Sequence, residues 1–154
     1  MTYTSKTQMV DAVGATTLLQ LCDDPLVGDW TTGDADGRTA TDRLNHCIAQ
    51  AGRTIDGYAA VHFSVPFASP TPPMIAEIAV ALCIFYCYRR RQDAFGVPED
   101  VRLDYRDAMK RLDGINKGLL DPGVEPAPTA SEQTVTQYSG PDRLFTNTTL
   151  KDFS

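Results

Sequence analysis

The residues of this sequence with the most specific chemistry are its thiols and imidazoles. They are four cysteines and two histidines, namely Cys22, Cys47, Cys83, Cys87, His46 and His62. Cys83 and Cys87 are four residues apart and would share one face of a helix. Their neighbours are Ile, Phe and Tyr, among which cysteine behaves as a small buried hydrophobe, and the Cys-x-x-Cys pairs of common zinc sites are absent. We therefore expect reduced, buried thiols and no bound metal.

These residues also form no recognisable catalytic set in the sequence. A nucleophilic serine or cysteine needs a base beside it, and the sequence contains neither a Gly-x-Ser-x-Gly elbow nor a phosphate-binding glycine loop. The aspartate-rich loop around Asp34 does not fit an EF-hand, because Thr39 stands where that loop needs Gly and Asn45 where it needs a bidentate Glu. We predict no catalytic, cofactor-binding or metal-binding residue, and a protein that is not an enzyme.

Length and charge narrow the class of protein further. The chain has 154 residues and a net charge of −6, and this length favours one domain. Nonspecific duplex binding relies on Lys and Arg, so the acidic balance argues against a DNA-binding surface, although such a protein could still surround DNA. Residues 1–8 are polar rather than a secretory signal. The longest apolar run, residues 74–88, is interrupted by Glu77 and is shorter than the ~20 residues that cross a bilayer, so no membrane partner is expected.

Apolar spacing and cap residues predict the helices of the first half. A broken pair of short helices opens the chain, with Thr4 or Ser5 as the cap, Gly14 as the stop and a second short helix that ends at Cys22. A longer helix should begin near Thr39 or Thr41, where Thr39 and Asp42 resemble a capping box, and run to about Ala60. Its predicted inner face is Leu44, Ile48, Ala51, Ile55, Tyr58 and His62.

Two further helices begin at prolines, the residue favoured in a first turn. The helix from Pro73 is apolar nearly all round, which is typical of a central helix covered by its neighbours. It ends in three arginines that complement its dipole and are candidate contacts with another subunit. They are Arg89, Arg90 and Arg91. The helix from Pro98 should carry an inner stripe of Val101, Tyr105, Ala108, Leu112, Ile115 and Leu119, and outer ion pairs Asp107–Arg111 and Asp113–Lys117.

Two other stretches should not be helical. Val61, Phe63, Val65 and Phe67 alternate with small or polar residues and predict a short extended segment, which the following prolines interrupt. Beyond residue 120 the chain is rich in Pro, Thr and Ser, yet four large apolar side chains return near its end. They are Leu144, Phe145, Leu150 and Phe153. The prediction is a mostly α protein: a small bundle of about four helices in residues 1–120, with a short extended segment, then a linker and extended docking arm in residues 121–154.

Several short motifs follow one another in a defined order. They are Ile55-Asp56-Gly57-Tyr58 near a predicted helix end, then Val65-Pro66-Phe67, then the apolar helix from Pro72-Pro73-Met74-Ile75 to Tyr86, Tyr88 and Arg89, then the Pro-Glu-x-Val-x-x-x-Tyr-x-x-Ala helix from Pro98 to Ala108, and a tail with Arg143, Phe145, Thr146, Leu150 and Phe153. Together they resemble the Mu-like phage proteins known as head–tail joining or connector proteins. The resemblance covers nearly the whole chain and departs from the family in loop 31–38 and in the long linker.

The resemblance implies a structural head–tail connector, or adaptor, subunit that forms a closed ring of about twelve copies on the portal. Its expected partners are the portal protein, a tail-side joining or tail-terminator protein and further copies of itself, with DNA only as passing cargo. The expected location is the head–tail interface of the virion, and the host cytoplasm during assembly. The alternative is a tail-side adaptor or tail-terminator protein of the same virion. The candidate docking residues for the portal or a neighbour are Arg143, Leu144, Phe145, Thr146, Leu150 and Phe153.

Overall fold

The described part of the chain forms a bundle of helices. The computed structural model describes residues 2–24, 28–91 and 96–124, which contain five helices and no β-strand. They are α1 (Lys6–Val13), α2 (Ala15–Cys22), α3 (Ala40–Ala59), α4 (Pro73–Arg90) and α5 (Glu99–Asn116). The predicted mostly α-helical bundle is confirmed.

Local side-chain chemistry sets the helix starts. The Ser5 side chain accepts from the backbone N–H of Gln8 while the Gln8 side chain accepts from the backbone of Ser5, and Thr39 and Asp42 make the same reciprocal pair at the start of α3. Each pair satisfies backbone donors that a helix start leaves free. Gly14 separates α1 from α2 at a φ of 88°, a conformation that glycine adopts without a steric penalty. The predicted capping box at Thr39 is therefore confirmed.

Helix α4 is the centre of the bundle. It contacts each of the other four helices, and Ile75, Ile78 and Leu82 are buried on it. On the side of α5, the rings of Phe85 and Tyr105 stack with centroids 3.9 Å apart. The central position predicted from its apolar sequence is confirmed. None of the helices in the described ranges combines the length and hydropathy needed to span a bilayer.

The inner faces of α3 and α5 agree with the predicted stripes except at their ends. Leu44, Ile48, Ala51, Ile55, Ala108, Leu112 and Ile115 are buried. His62 and Leu119, however, follow the ends of α3 and α5 and are exposed, Leu119 to 80%. Their assignment to the inner faces was wrong, because the helical period no longer applies once the chain has left the helix.

The ion pairs on the outside of α5 differ in part from the prediction. The predicted pair of Lys117 with Asp113 is present, with Nζ 2.5 Å from the carboxylate. Asp107 instead pairs with Lys110 at 2.9 Å, one residue closer than predicted, and Arg111 reaches across to Glu77 on α4 at 3.2 Å. A long exposed side chain has several partners within reach, so spacing alone did not select the right one.

The connection between α3 and α4 is irregular. Residues 60–72 form turns and bends rather than a regular extended segment. The prolines in this connection lack backbone donors, and the described part of the chain contains no strand that could pair with it. Phe63 and Phe67 are nevertheless buried, whereas Val61 is 63% exposed. The alternating pattern therefore predicted two anchors correctly but not the backbone between them.

Residues 117–124 follow α5 and pack back on the bundle. Pro122 is buried, and Leu120 and Val124 pack against the core. The division at residues 120 and 121 stays a prediction, since the arm beyond Val124 lies outside the described residues.

Candidate functional site

Three arginines from two helices meet at the C-terminal end of α2. We call Arg43, Arg90 and Arg91 the arginine clamp. Arg43 lies on α3, and Arg90 and Arg91 close α4. Because the last carbonyls of a helix have no partner within it and carry partial negative charge, this end of α2 is a natural site for cations.

Arg43 is the buried member of the arginine clamp. Its residue is only 7% exposed, and its Nη1 donates to the Cys22 carbonyl at 3.3 Å. Its Nε lies 2.9 Å from Asp24, and its Nη2 donates to Asp34. One guanidinium thus joins α3, the end of α2 and the following loop, which matches the fixed fork of donors that arginine offers.

Arg90 and Arg91 contact the same region from α4. Arg90 donates through Nη1 to both carboxylate oxygens of Asp24, at 2.7 and 2.8 Å, and through Nη2 to the Leu21 carbonyl. Arg91 donates to the carbonyls of Gln20 and Asp23 at 2.7 and 2.8 Å. Two of the three arginines predicted to contact another subunit therefore have partners within their own chain.

Arg89 has a different environment from the arginine clamp. Its side chain is exposed, and it lines a surface pocket together with residues of α3. The role of Arg89, Arg90 and Arg91 as contacts to another subunit stays a prediction. For Arg90 and Arg91 such a contact would have to add to, or replace, the bonds that hold the end of α2.

The loop that precedes α3 is ordered around Asp34. This carboxylate accepts from the backbone N–H groups of Arg38 and Asp36, each at 2.9 Å, and also from Arg43. These bonds favour the charged carboxylate and lower the pKa of Asp34, the bond from the Arg38 backbone most strongly. The aspartates that fail as a calcium loop therefore act in loop folding and in pairing with the arginine clamp.

The motif Ile55-Asp56-Gly57-Tyr58 contains a hydrogen-bond anchor. The Tyr3 hydroxyl donates to the Asp56 carboxylate and accepts from the backbone N–H of Phe67 at 3.1 Å. The start of the chain is thereby bonded both to the last turn of α3 and to the connection that follows it. Burial, and then the bond to Asp56, raise the pKa of Tyr3 to about 12.

The other motif residues have simpler environments. Ile55 is fully buried, Tyr58 is half-buried against the core, and Pro66 is exposed. A Cβ at Gly57 would meet nothing within 4 Å, so its own helix does not require glycine there.

Replacement of Tyr3 by Phe should change how stability depends on pH. The folded-state pKa of Tyr3 lies above the ordinary value of about 10, so its stabilising contribution is complete below pH 10 and is lost as the pH rises toward 12. The difference in unfolding free energy between the native chain and Tyr3→Phe should therefore shrink by about 2 kcal/mol across that interval. Urea denaturation at a series of pH values measures it, and two parallel stability curves would contradict it.

All four cysteines are buried, and three helices contribute them. Cys22 closes α2, Cys47 lies on α3, and Cys83 and Cys87 lie on α4; all four are free thiols. Hydrogen bonding from Cys87 lowers the pKa of Cys22 and of Cys47, and hydrogen bonding to Cys22 is the largest cause that raises the pKa of Cys87. No group of metal-ligating side chains occurs within the described ranges. The thiols are packed together in the core.

A groove lies beside Val124, the last of the described residues. We call it the exit groove. It has a volume of about 520 Å³, and residues 67–73 and 122–124 line it. The lining includes Pro70, Pro72, Pro73 and Pro122, and none of these described lining residues is charged.

Two exposed apolar side chains accompany a contact between the ends of α3 and α5. The His62 ring is 3.1 Å from the Asn116 carbonyl and packs beside Gly118. Val61 and Leu119, the next residues to these in sequence, are 63% and 80% exposed. The predicted docking residues of the arm, Arg143, Leu144, Phe145, Thr146, Leu150 and Phe153, lie outside the described residues.

The residues of the arginine clamp and of the Tyr3 anchor were not all foreseen from the sequence. Arg43 carried a usable signal: it lies three residues after Ala40 and four before Cys47, on the apolar face of α3. A charge at a core-facing position of a helix usually has a buried partner. For Tyr3 no local pattern gives such a signal, because its partners are 53 and 64 residues away.

Comparison with known proteins gives the family of the chain. The model of the family described as bacteriophage Mu, Gp36 matches residues 3–138. Gene product J of Escherichia phage Mu is 28% identical over 99 residues, which are 64% of this chain and 66% of that protein, just under two thirds of its length. The family supports a phage virion protein, in agreement with the resemblance noted in the sequence. Since its model covers nearly all of the described bundle, the chain belongs to the bacteriophage Mu Gp36 family.

Proposed function

We propose that this protein is a structural head–tail connector subunit, which forms a ring on the portal and bridges it to the tail-side components of a Mu-like phage. The observation that carries the proposal is the family match over residues 3–138. The protein would act by binding other virion proteins rather than by catalysis.

The bundle is suited to such a role because its described helices pack on one another within one subunit. The central helix α4 contacts each of the other four helices, and the arginine clamp holds α2 and its following loop to α3 and α4. A subunit with this internal support can offer a preformed surface to its partners. Little conformational entropy is then lost from the bundle on binding.

The arm would supply the adhesive contacts. Phe145 and Phe153 are large apolar side chains, and full burial of one such side chain contributes about 1.5–3 kcal/mol. Ordering of the arm offsets part of this gain. Repetition around a ring raises the effective concentration of every further contact, so individually weak arms can hold a ring durably on a portal.

Electron microscopy of assembled particles tests the proposal. The expected result is a ring of helical bundles of the size described here, between the portal and the tail, with the arm of each subunit on a foreign surface. Density for the bundle at the head-proximal end of a separate tail tube would support the tail-terminator alternative and overturn the connector assignment. Absence of the protein from the particle would overturn both.

A further inference from the structure

We propose that the exit groove binds the apolar end of the subunit's own arm, residues 143–153, before assembly. The proposal rests on the proposed function for its biological meaning, since the bound arm would be withheld from its partner. The docking itself requires only the exit groove and the residues that follow Val124 in the same chain.

The groove and the arm have matching chemistry. Residues 67–73 and 122–124 line the groove without a charged side chain and include four prolines. Proline rings pack favourably on aromatic faces, as in the recognition of proline-rich segments by aromatic grooves. The arm offers the aromatic faces of Phe145 and Phe153, together with Leu144 and Leu150.

The path of the chain also favours this occupant. Val124, the last residue described, itself lines the groove. Residues 125–142 separate it from Arg143. A chain of this length spans up to about 60 Å when fully extended, and a flexible chain of this length has an end-to-end distance of about 23 Å. The arm can therefore return to the groove from which it departs.

Attachment to the same chain decides between the subunit's own arm and that of another copy. A short flexible linker gives an effective concentration of about 1 mM, well above the concentration of free subunits in a dilute sample. In the isolated protein, docking within one chain should thus prevail over exchange between copies. The groove would then keep the apolar end of the arm bound until a partner competes for it.

The consequence for assembly is a reduced apparent affinity for the partner. When only a fraction of the subunits has a free arm, the apparent affinity falls by that fraction; an arm docked nine times in ten lowers it about tenfold. Release of the arm would raise it again. The groove would in this way limit association before the portal presents its repeated binding sites.

Nuclear magnetic resonance of the full chain tests the docking without any partner. The comparison is between the native chain and the double variant Phe145→Ala/Phe153→Ala. Amide signals of groove residues such as Ala68, Thr71 and Gly123 should shift between the two, while those of α1 should not. Dilution should leave the native spectrum unchanged. Identical groove signals in both chains would overturn the proposal, and shifts that vanish on dilution would overturn it in favour of another copy's arm.

A charge in the groove gives an independent test. Ala68 lines the groove and is exposed, so Ala68→Glu should disfavour the apolar arm without harm to the core. Ala12→Glu places the same charge on exposed α1 and is the matched control. Ala68→Glu should give the groove spectrum of a free arm and bind purified portal about tenfold more tightly, while Ala12→Glu changes neither. Unchanged groove spectra and portal affinity in Ala68→Glu would contradict the proposal.

The two proposals fail in different ways. If the groove signals depend on the arm but no variant binds the portal, the connector function would be overturned and the docking would stand. If portal binding depends on the arm but the groove signals are the same with and without its aromatic side chains, the docking alone would be overturned.

Discussion

Removal of residues 143–154 is expected to abolish binding to the portal while the helical bundle stays folded. Within the described residues, the helices and the segments that join them form a hydrophobic core that extends from Tyr3 to Ile115, so we expect the bundle to fold without this segment. Loss of two buried aromatic side chains removes about 3–6 kcal/mol, a decrease in affinity of about 10² to 10⁴. Because docking of the arm in the exit groove stabilises the folded state only slightly, the Tm should fall by no more than a few degrees. Co-purification with portal and thermal denaturation measure the two effects.

A double substitution distinguishes the loss of apolar contacts from the loss of the arm itself. Phe145→Ala/Phe153→Ala keeps the arm complete and should lose most of the portal affinity. Asn147→Ala/Thr149→Ala alters two polar residues of the same segment and should retain it. If the truncated protein unfolds, the arm belongs to the subunit's own core; if both double variants bind equally, apolar docking by the arm is wrong.

Replacement of Arg43 by Ala is expected to cause the largest loss of stability among single changes at a charged residue of the bundle. It would remove the donor to the Cys22 carbonyl and the partner of Asp24 and Asp34. Breaking a buried ion pair costs about 3–5 kcal/mol. Here the carboxylates keep some solvent, with side chains 42% and 22% exposed, which reduces the expected loss to about 2–3 kcal/mol. For a chain of this size the Tm should fall by about 5–10 °C.

Two variants serve as controls for the Arg43 result. Arg43→Lys keeps the charge but lacks the forked donors, so its stability should lie between those of the native chain and Arg43→Ala. Arg111→Ala breaks an exposed pair with Glu77, whose side chains are 52% and 70% exposed, and should cost less than about 1 kcal/mol. Equal Tm values for Arg43→Ala and Arg111→Ala would show that the arginine clamp does not stabilise the fold.

The helices could be predicted because their signals are local. The reciprocal bonds of Thr39 with Asp42 join residues three apart, and Gly14 ends α1 through its own backbone freedom. The central place of α4 follows from an apolar surface that one neighbour alone could not cover. Such properties depend on residues within one or two helical turns of each other, so they can be predicted from the sequence alone.

The errors lie where a partner had to be selected among several within reach. Asp107 had Lys110 as well as Arg111 nearby and pairs with the former. The role of Arg91 at another subunit stays a prediction, but its contacts with carbonyls 68 and 71 residues earlier in the chain were not predicted. His62 and Leu119 were assigned by a helical period that had already ended. In each case the deciding distance exists only after the helices have packed.

The sequence by itself determined the class of the protein: an α-helical bundle with a buried fourth helix, no recognisable catalytic motif, and the order of motifs that matches the bacteriophage Mu Gp36 family. Only the tertiary structure decided that Arg43, Arg90 and Arg91 share one helix end, that Tyr3 joins Asp56 to Phe67, and that residues 67–73 and 122–124 line one groove with four prolines. The physical reason is range. Caps and apolar periodicity act between near neighbours in the chain, whereas a hydrogen bond or a groove wall depends on which distant segments packing brings within a few ångströms.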